Sequence, residues 1–308
     1  MVLAVKDSNF AKSVPTDRLS SFKSISELRT LILSLTISIV GSLALLGGGL
    51  ILNYPDIVQV SLEFLFVTGF LFMILFSGKR HGSWIYLVFL FEFVAIGAKE
   101  IEAIFIDNSY ILTGFILAIP KESTPALPSG GYPVSVLAGW IVCIFACYNL
   151  TNIVFCQIRV RIRQPVIAIV LLSILDGIIL WEFSLFFEAA GIDLGWWAYP
   201  ESSVPKLSGA PIDTFYHYLI AGIVLNAILR LGKTLTVDKE VPLASHISSE
   251  LFSPLVFLYL WSITLFLGIL KFGQFWWAIT VAVPPLVFFW GLIVVYVVRL
   301  NRNSHSAN

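Results

Sequence analysis

The stretch from Pro165 to Pro200, PVIAIVLLSILDGIILWEFSLFFEAAGIDLGWWAYP, decides the class of this chain. Its apolar part, Pro165 to Ala189, exceeds the ~20 residues that cross a ~30 Å hydrocarbon core. Three carboxylates, Asp176, Glu182 and Glu188, interrupt that run, and Trp196, Trp197 and Tyr199 follow it at once. In lipid a buried charge costs several kcal/mol unless it is paired, so acids on such a segment mark a functional site by default.

Composition extends this reading to the whole chain. Across 308 residues, 58% are hydrophobic and 12% charged, with a mean hydropathy of +0.90, which lies far outside the range of a soluble domain. The fold class expected is an all-α integral membrane protein. Apolar windows of spanning length fall at Leu31 to Leu52, Ile57 to Ser77, Ser83 to Ile106, Pro133 to Gln157, Pro165 to Ala189, Pro211 to Leu231, Leu251 to Lys271 and Phe275 to Val298. These predict eight transmembrane helices, spans one to eight, in a single domain of residues 31–299. Polar tails occupy 1–30 and 300–308.

Lys and Arg collect in cytoplasmic loops, which tests the span count independently. With eight spans, fifteen of the nineteen basic residues fall on one side: five in the N-terminal tail, Lys79 and Arg80, Arg159, Arg161 and Arg163, Arg230, Lys233 and Lys239, and Arg299 and Arg302. Lys121, Lys206 and Lys271 fall on the other, and Lys99 lies within span three. Both termini are therefore expected to be cytoplasmic, in a multi-pass protein of the cell membrane. The first thirty residues hold no compact apolar core of the kind a cleavable signal needs.

Several function classes are disfavoured. The formal net charge is zero, which implies no nucleic-acid partner. No G-x-G-x-x-G or G-x-x-x-x-G-K-S/T fingerprint occurs, so neither nucleotide nor redox cofactor is expected. Cys143, Cys147 and Cys156 all lie in span four, without His or carboxylate companions, and are read as packing residues rather than a metal site.

The two longest loops, 107–132 and 190–210, lie on the non-cytoplasmic side and share a layout. The first opens after Glu102, passes Tyr110 and closes with GGYP before VSVLAGW; the second opens after Glu188, passes Trp196 and Tyr199 and closes with SGAP before IDTFYHY. The duplication predicts a parallel tandem repeat of spans three–four and five–six about an axis along the membrane normal.

Span three carries Glu92, Lys99, Glu100 and Glu102, with Lys99 and Glu102 spaced as an i,i+3 pair. That stripe reads either as a neutralised ion pair or as a site where Lys99 keeps one acid charged while another holds its proton. Span five has no basic residue beside Asp176, Glu182 and Glu188, and six-residue steps of about 240° put the three acids on different faces. An unpaired carboxyl in an apolar wall is expected to hold its proton, which suits a general acid. Trp181, Trp196, Trp197, Tyr199, Phe215, Tyr216 and Tyr218 surround these acids in sequence. Such rings are either interfacial belt residues or cation-stabilising faces. Acid donors in an aromatic pocket open to lipid suit protonation of an alkene to a carbocation, with Asp213 or His217 to hold a water.

The run from Trp181 to Tyr199, WEFSLFFEAAGIDLGWWAY, followed by Gly209 to Phe215, resembles the carotenoid biosynthesis hydratases of the bacterioruberin pathway. In that family W-D-x-x-x-D/E-P-x-x-x-x-x-G-x-W-x-W precedes G-V-P-x-x-N-F-x-G-W. Gly131 to Trp140 is similar to the matching segment of the preceding helix pair, and Glu102 matches the acid that begins the family's first loop. Glu182 and Glu188 stand where Asp is common, Ala189 replaces Pro, Asp213-Thr214 replaces a small-residue/Asn pair, and His217-Tyr218 replaces Gly-Trp. A related pattern occurs in membrane lycopene-type cyclases.

The resemblance implies a hydratase (lyase) acting on a lipophilic isoprenoid within the bilayer, without metal or cofactor. Glu188 or Glu182 would donate the proton, with Glu102 and Asp176 as further acids. Trp181, Trp196, Trp197, Tyr199, Phe215, Tyr216, Tyr110 and Trp140 would line the substrate. Cyclisation is the nearest alternative, and a proton- or cation-coupled transporter using the same acids is the alternative from another class.

Overall fold

The computed structural model describes residues 37, 41, 44–45, 48–49, 55–81, 84–102, 111–112, 118–119, 132–158, 164–193, 195–199, 205–207, 209–234, 243–272 and 280–306. Among them are seven helices: α1 (Pro55–His81), α2 (Trp84–Ile101), α3 (Val134–Ile158), α4 (Pro165–Asp193), α5 (Ile212–Thr234), α6 (Leu243–Phe272) and α7 (Val283–Ser306). They correspond in order to spans two to eight. Span one and Tyr110 fall largely or wholly outside the described residues. Three helical stretches, Ser135–Phe155, Pro165–Asp193 and Ile212–Thr234, are long and apolar enough to cross a bilayer.

Burial runs opposite to that of a soluble bundle. The exposed face of α4 is Val166, Ile167, Val170, Leu171, Ile174 and Ile178, and that of α5 includes Tyr216, Ile220, Val224 and Leu231. Asp176, Glu188, Asn226 and Arg230 are buried on the inner faces of the same two helices. Apolar side chains turned outward, with the few polar groups turned into an otherwise apolar core, is the arrangement lipid selects.

The central helix is α3. Its sequence VSVLAGWIVCIFACYNLTNIVFCQI contains no charged residue, and a helix that is apolar all round is a buried one. It packs against α1, α2, α4, α5, α6 and α7. Cys143 and Cys147 are buried within it as free thiols.

The most extensive helix pairing is α4 with α5. The backbones meet where Gly177 faces Gly222, and a Cβ on Gly222 would lie 2.8 Å from the Gly177 Cα. Close backbone approach through small residues is how helices gain dispersion contacts where lipid gives no hydrophobic drive to associate.

Among the described residues six two-residue strands interrupt what sequence reads as loops: β1 (Ile111–Leu112), β2 (Ala118–Ile119), β3 (Tyr132–Pro133), β4 (Trp197–Ala198), β5 (Lys206–Leu207) and β6 (Ala210–Pro211). Thus helix, three strands, helix occurs twice in succession, as α2 to α3 and as α4 to α5. Within each unit the last two strands pair antiparallel, β2 with β3 and β5 with β6. The first strands pair with one another across the units, Ile111 opposite Ala198 and Leu112 opposite Trp197.

Candidate functional site: a buried acid and aromatic cluster

The site begins with how α4 ends. Trp196 N–H donates to Gly191 C=O at 2.8 Å and Gly195 N–H to Ile192 C=O at 3.0 Å, the paired bonds of a Schellman C-cap. Gly195 takes the left-handed conformation this cap requires, with φ of 72°. The chain reverses there, and Trp196 and Trp197 fold back against Phe187, with ring centroids 6.3 and 5.5 Å away. Both indoles are buried.

Beneath them Glu188 is 3% exposed. Tyr199 Oη donates to its Oε2 at 2.7 Å and Tyr218 Oη to its Oε1 at 2.5 Å. The donors come from the loop after α4 and from α5, so the carboxyl ties both to α4. Tyr199 lies outside the helices, and its phenol is held well above the ordinary tyrosine range by burial first and by the Glu188 charge second. It is therefore a proton-bearing donor at neutral pH.

Tyr218 leads to a second acid. Its ring stacks on Trp140 of α3 at 4.4 Å with 25° between planes, an offset arrangement that favours aromatic pairs. Trp140 Nε1 donates to Glu100 Oε1 at 3.0 Å. The other oxygen of Glu100, Oε2, is buried and meets no hydrogen-bond partner among the described residues. Tyr218 bonds Glu188 and stacks on Trp140, which bonds Glu100, so two carboxyls, two phenols and an indole form one connected cluster.

The sequence-expected residues divide accordingly. Glu188, Tyr199 and Trp140 meet in this cluster, and Trp196 and Trp197 pack on Phe187, the residue before Glu188. Phe215 is buried in the core, while Trp181 and Glu182 are half-buried on other faces of α4. Asp213 and His217 are exposed; the Asp213 carboxylate accepts the Thr214 N–H at 3.0 Å in the first turn of α5. Tyr216 is 57% exposed, because Tyr218, two positions on, takes the inward face. Glu102 lies at the surface in a 2.7 Å salt bridge with Lys99. The acid that reaches Trp140 is Glu100, which shares a helix with Glu102 but points about 200° away from it.

Asp176 corrects the expectation of an unpaired acid. It is fully buried, but Arg230 Nη2 lies 2.6 Å from its Oδ2, and Thr151 Oγ1 donates to Oδ1 at 2.6 Å. Arg230 also donates to Thr151 Oγ1 and Asn152 Oδ1, at 2.6 and 2.9 Å, and lies 4.8 Å over the Tyr148 ring. Sequence places Arg230 at the cytoplasmic end of a span; its long side chain reaches back into the bundle. Twelve residues of α4 separate Asp176 from Glu188, roughly 18 Å of helix, so these are two separate polar centres. Glu92 makes a third: it is fully enclosed, and neither of its carboxyl oxygens meets a partner among the described residues.

A cavity of about 190 Å³ lies between α1 and α2, lined by Phe70, Ile74, Tyr86, Phe89, Leu90 and Phe93. Phe89, Phe93 and Glu100 share one stripe of α2, since steps of seven and eleven residues return to nearly the same face. Phe93 stands roughly 10 Å along the helix from Glu100.

Sequence reasoning noted Glu100 and Tyr218 without placing them in the site. Their signal was available in hindsight: Trp140 and Tyr218 each stand seven residues beyond the proline that closes β3 or β6. No protein-family model matches the chain, and no curated protein or solved structure matches it either.

Proposed function

We propose that this chain is an isoprenoid-modifying membrane enzyme, a carotenoid hydratase that adds water across a terminal C=C through a tertiary carbocation. The observation that carries the reading is Glu188, enclosed among aromatic rings with a phenol on each carboxyl oxygen. Proton transfer to an alkene needs an acid out of water, and the cation formed needs ring faces or a carboxylate nearby. The motif resemblance in Trp181 to Tyr199 names the substrate class, and the aromatic cavity along α2 suits an apolar chain.

The architecture belongs to the same proposal: eight spans, both termini cytoplasmic, and spans three–four and five–six as a tandem repeat. The doubled helix, three strands, helix order and the antiparallel β1–β4 pair support the repeat. Transport draws its support from Asp176 at mid-membrane and from the parallel repeat; the Arg230 pairing neutralises the first of these.

Product analysis in a host making an acyclic carotenoid tests the function. Co-expression of the wild type should yield a more polar, hydroxylated pigment, and Glu188→Gln should cut its formation by at least about a hundredfold. A cyclic pigment would redirect the reading to the cyclase outcome of the same cation. Unchanged pigment with well-expressed wild type would overturn it.

A further inference from the structure

We infer that Glu100 is the proton donor of this site and Glu188 the carboxylate that faces the cation and takes the proton back, an assignment that rests on the proposed carbocation chemistry. The two acids occupy equivalent places in the doubled unit. Glu100 near the end of α2 accepts from Trp140 of α3, and Glu188 near the end of α4 accepts from Tyr218 of α5. Trp140 and Tyr218, at matching distance from Pro133 and Pro211, stack on one another where the two units meet. The β1–β4 pair joins the units a second time.

The surroundings of the two acids differ, and the difference sets their roles. Both oxygens of Glu188 accept phenol protons, so a carboxylate there keeps a hydrogen-bond donor on each oxygen. Glu100 has one oxygen on the Trp140 indole and one, Oε2, buried without a partner among the described residues. An acidic O–H fits at that oxygen, and an anion there would be left uncompensated. The charged groups nearest on its own helix, Lys99 and Glu102, are exposed and bonded to each other. Trp140, Tyr199 and Tyr218 are the polar groups from the neighbouring elements. Glu100 also shares its helix stripe with Phe89 and Phe93 of the aromatic cavity, which ends about 10 Å from it along α2.

The step balances within the site. The O–H bond of Glu100 breaks as a C–H bond forms at the terminal alkene carbon, leaving a tertiary cation opposite the Glu188 carboxylate. Water adds its oxygen to the cation and gives one proton to Glu188; in the cyclase variant Glu188 takes the proton from carbon. That proton returns to Glu100, so the net change is alkene plus water to alcohol, or isomerisation to a ring.

Glu100→Gln discriminates this role from a structural one, because glutamine keeps an oxygen for the Trp140 indole. In full-length protein with the acyclic carotenoid as probe, E100Q should lose at least about a hundredfold in turnover with an unchanged melting temperature. The E100Q/E188Q double variant should be no slower than the worse single one, as for groups that act as a unit. E100Q turning over at the wild-type rate, or losses that multiply in the double variant, would overturn the assignment while leaving the function intact. Should E100Q fail to accumulate, Glu100→Asp, which retains the acid, must be active; a folded, inactive E100D would overturn the assignment. A wild type that forms no product overturns the parent reading and this one with it.

Discussion

At the scale of single residues, the chain holds its acids in three environments, and only the three-dimensional partners distinguish them. Glu188 stood out in sequence from its place between an apolar run and an aromatic loop, and it is buried with a phenol on each carboxyl oxygen. Asp176 looked equally exposed to the cost of burial, yet Arg230, 54 residues away in sequence, neutralises it at 2.6 Å. The long arginine side chain crosses depth that a span boundary cannot reveal, and Thr151 and Asn152 complete its bonding from α3. Removing one member of a buried ion pair strands the other. Asp176→Asn should therefore lower unfolding stability in detergent by about 3–5 kcal/mol, and the double variant Asp176→Leu/Arg230→Met should recover most of the loss. Equal losses in the single and double variants would show that the pair itself does not hold α4 to α5.

At the scale of elements, helix positions followed from apolar windows, whereas helix ends and loops did not. The window for span five closes at Ala189; α4 continues to Asp193 and stops at the Gly195 cap. That glycine is readable in I-D-L-G-W-W as a stop signal, and its consequence, two indoles turned back onto Phe187, is a tertiary outcome. The six short strands were invisible because two residues carry no periodicity to detect. Gly195→Ala forces a Cβ into the left-handed region and should cost about 1 kcal/mol. The same variant should shift Trp196 and Trp197 fluorescence to longer wavelength as the rings loosen into water. An unshifted spectrum with unchanged stability would mean that the cap does not position the tryptophans.

At the scale of the whole molecule, composition and hydropathy pointed to a membrane helical protein, and the structure shows three helices long and apolar enough to cross a bilayer, with apolar side chains exposed on α4 and α5 and a few polar groups set within an apolar core. The duplicated loop layout led to the expectation of a tandem repeat, and among the described residues the order helix, three strands, helix occurs twice. It pointed to Glu102 as the first unit's acid, because Glu102 opens the loop; Glu100 is the residue turned toward Trp140. The pairing of β1 with β4 and the stack of Trp140 on Tyr218 bring the two units together at one cluster. Contacts of that kind are long-range and leave no trace in any single window.

The central claim is that this cluster starts its reaction by giving a proton to carbon. Mass spectrometry of the pigment formed by the wild type in D₂O tests it most directly. The account predicts one deuterium bound to carbon in every product molecule, and none added when the variant Glu188→Gln blocks formation. A product that gains oxygen without carbon-bound deuterium would mark oxidative hydroxylation and contradict the account.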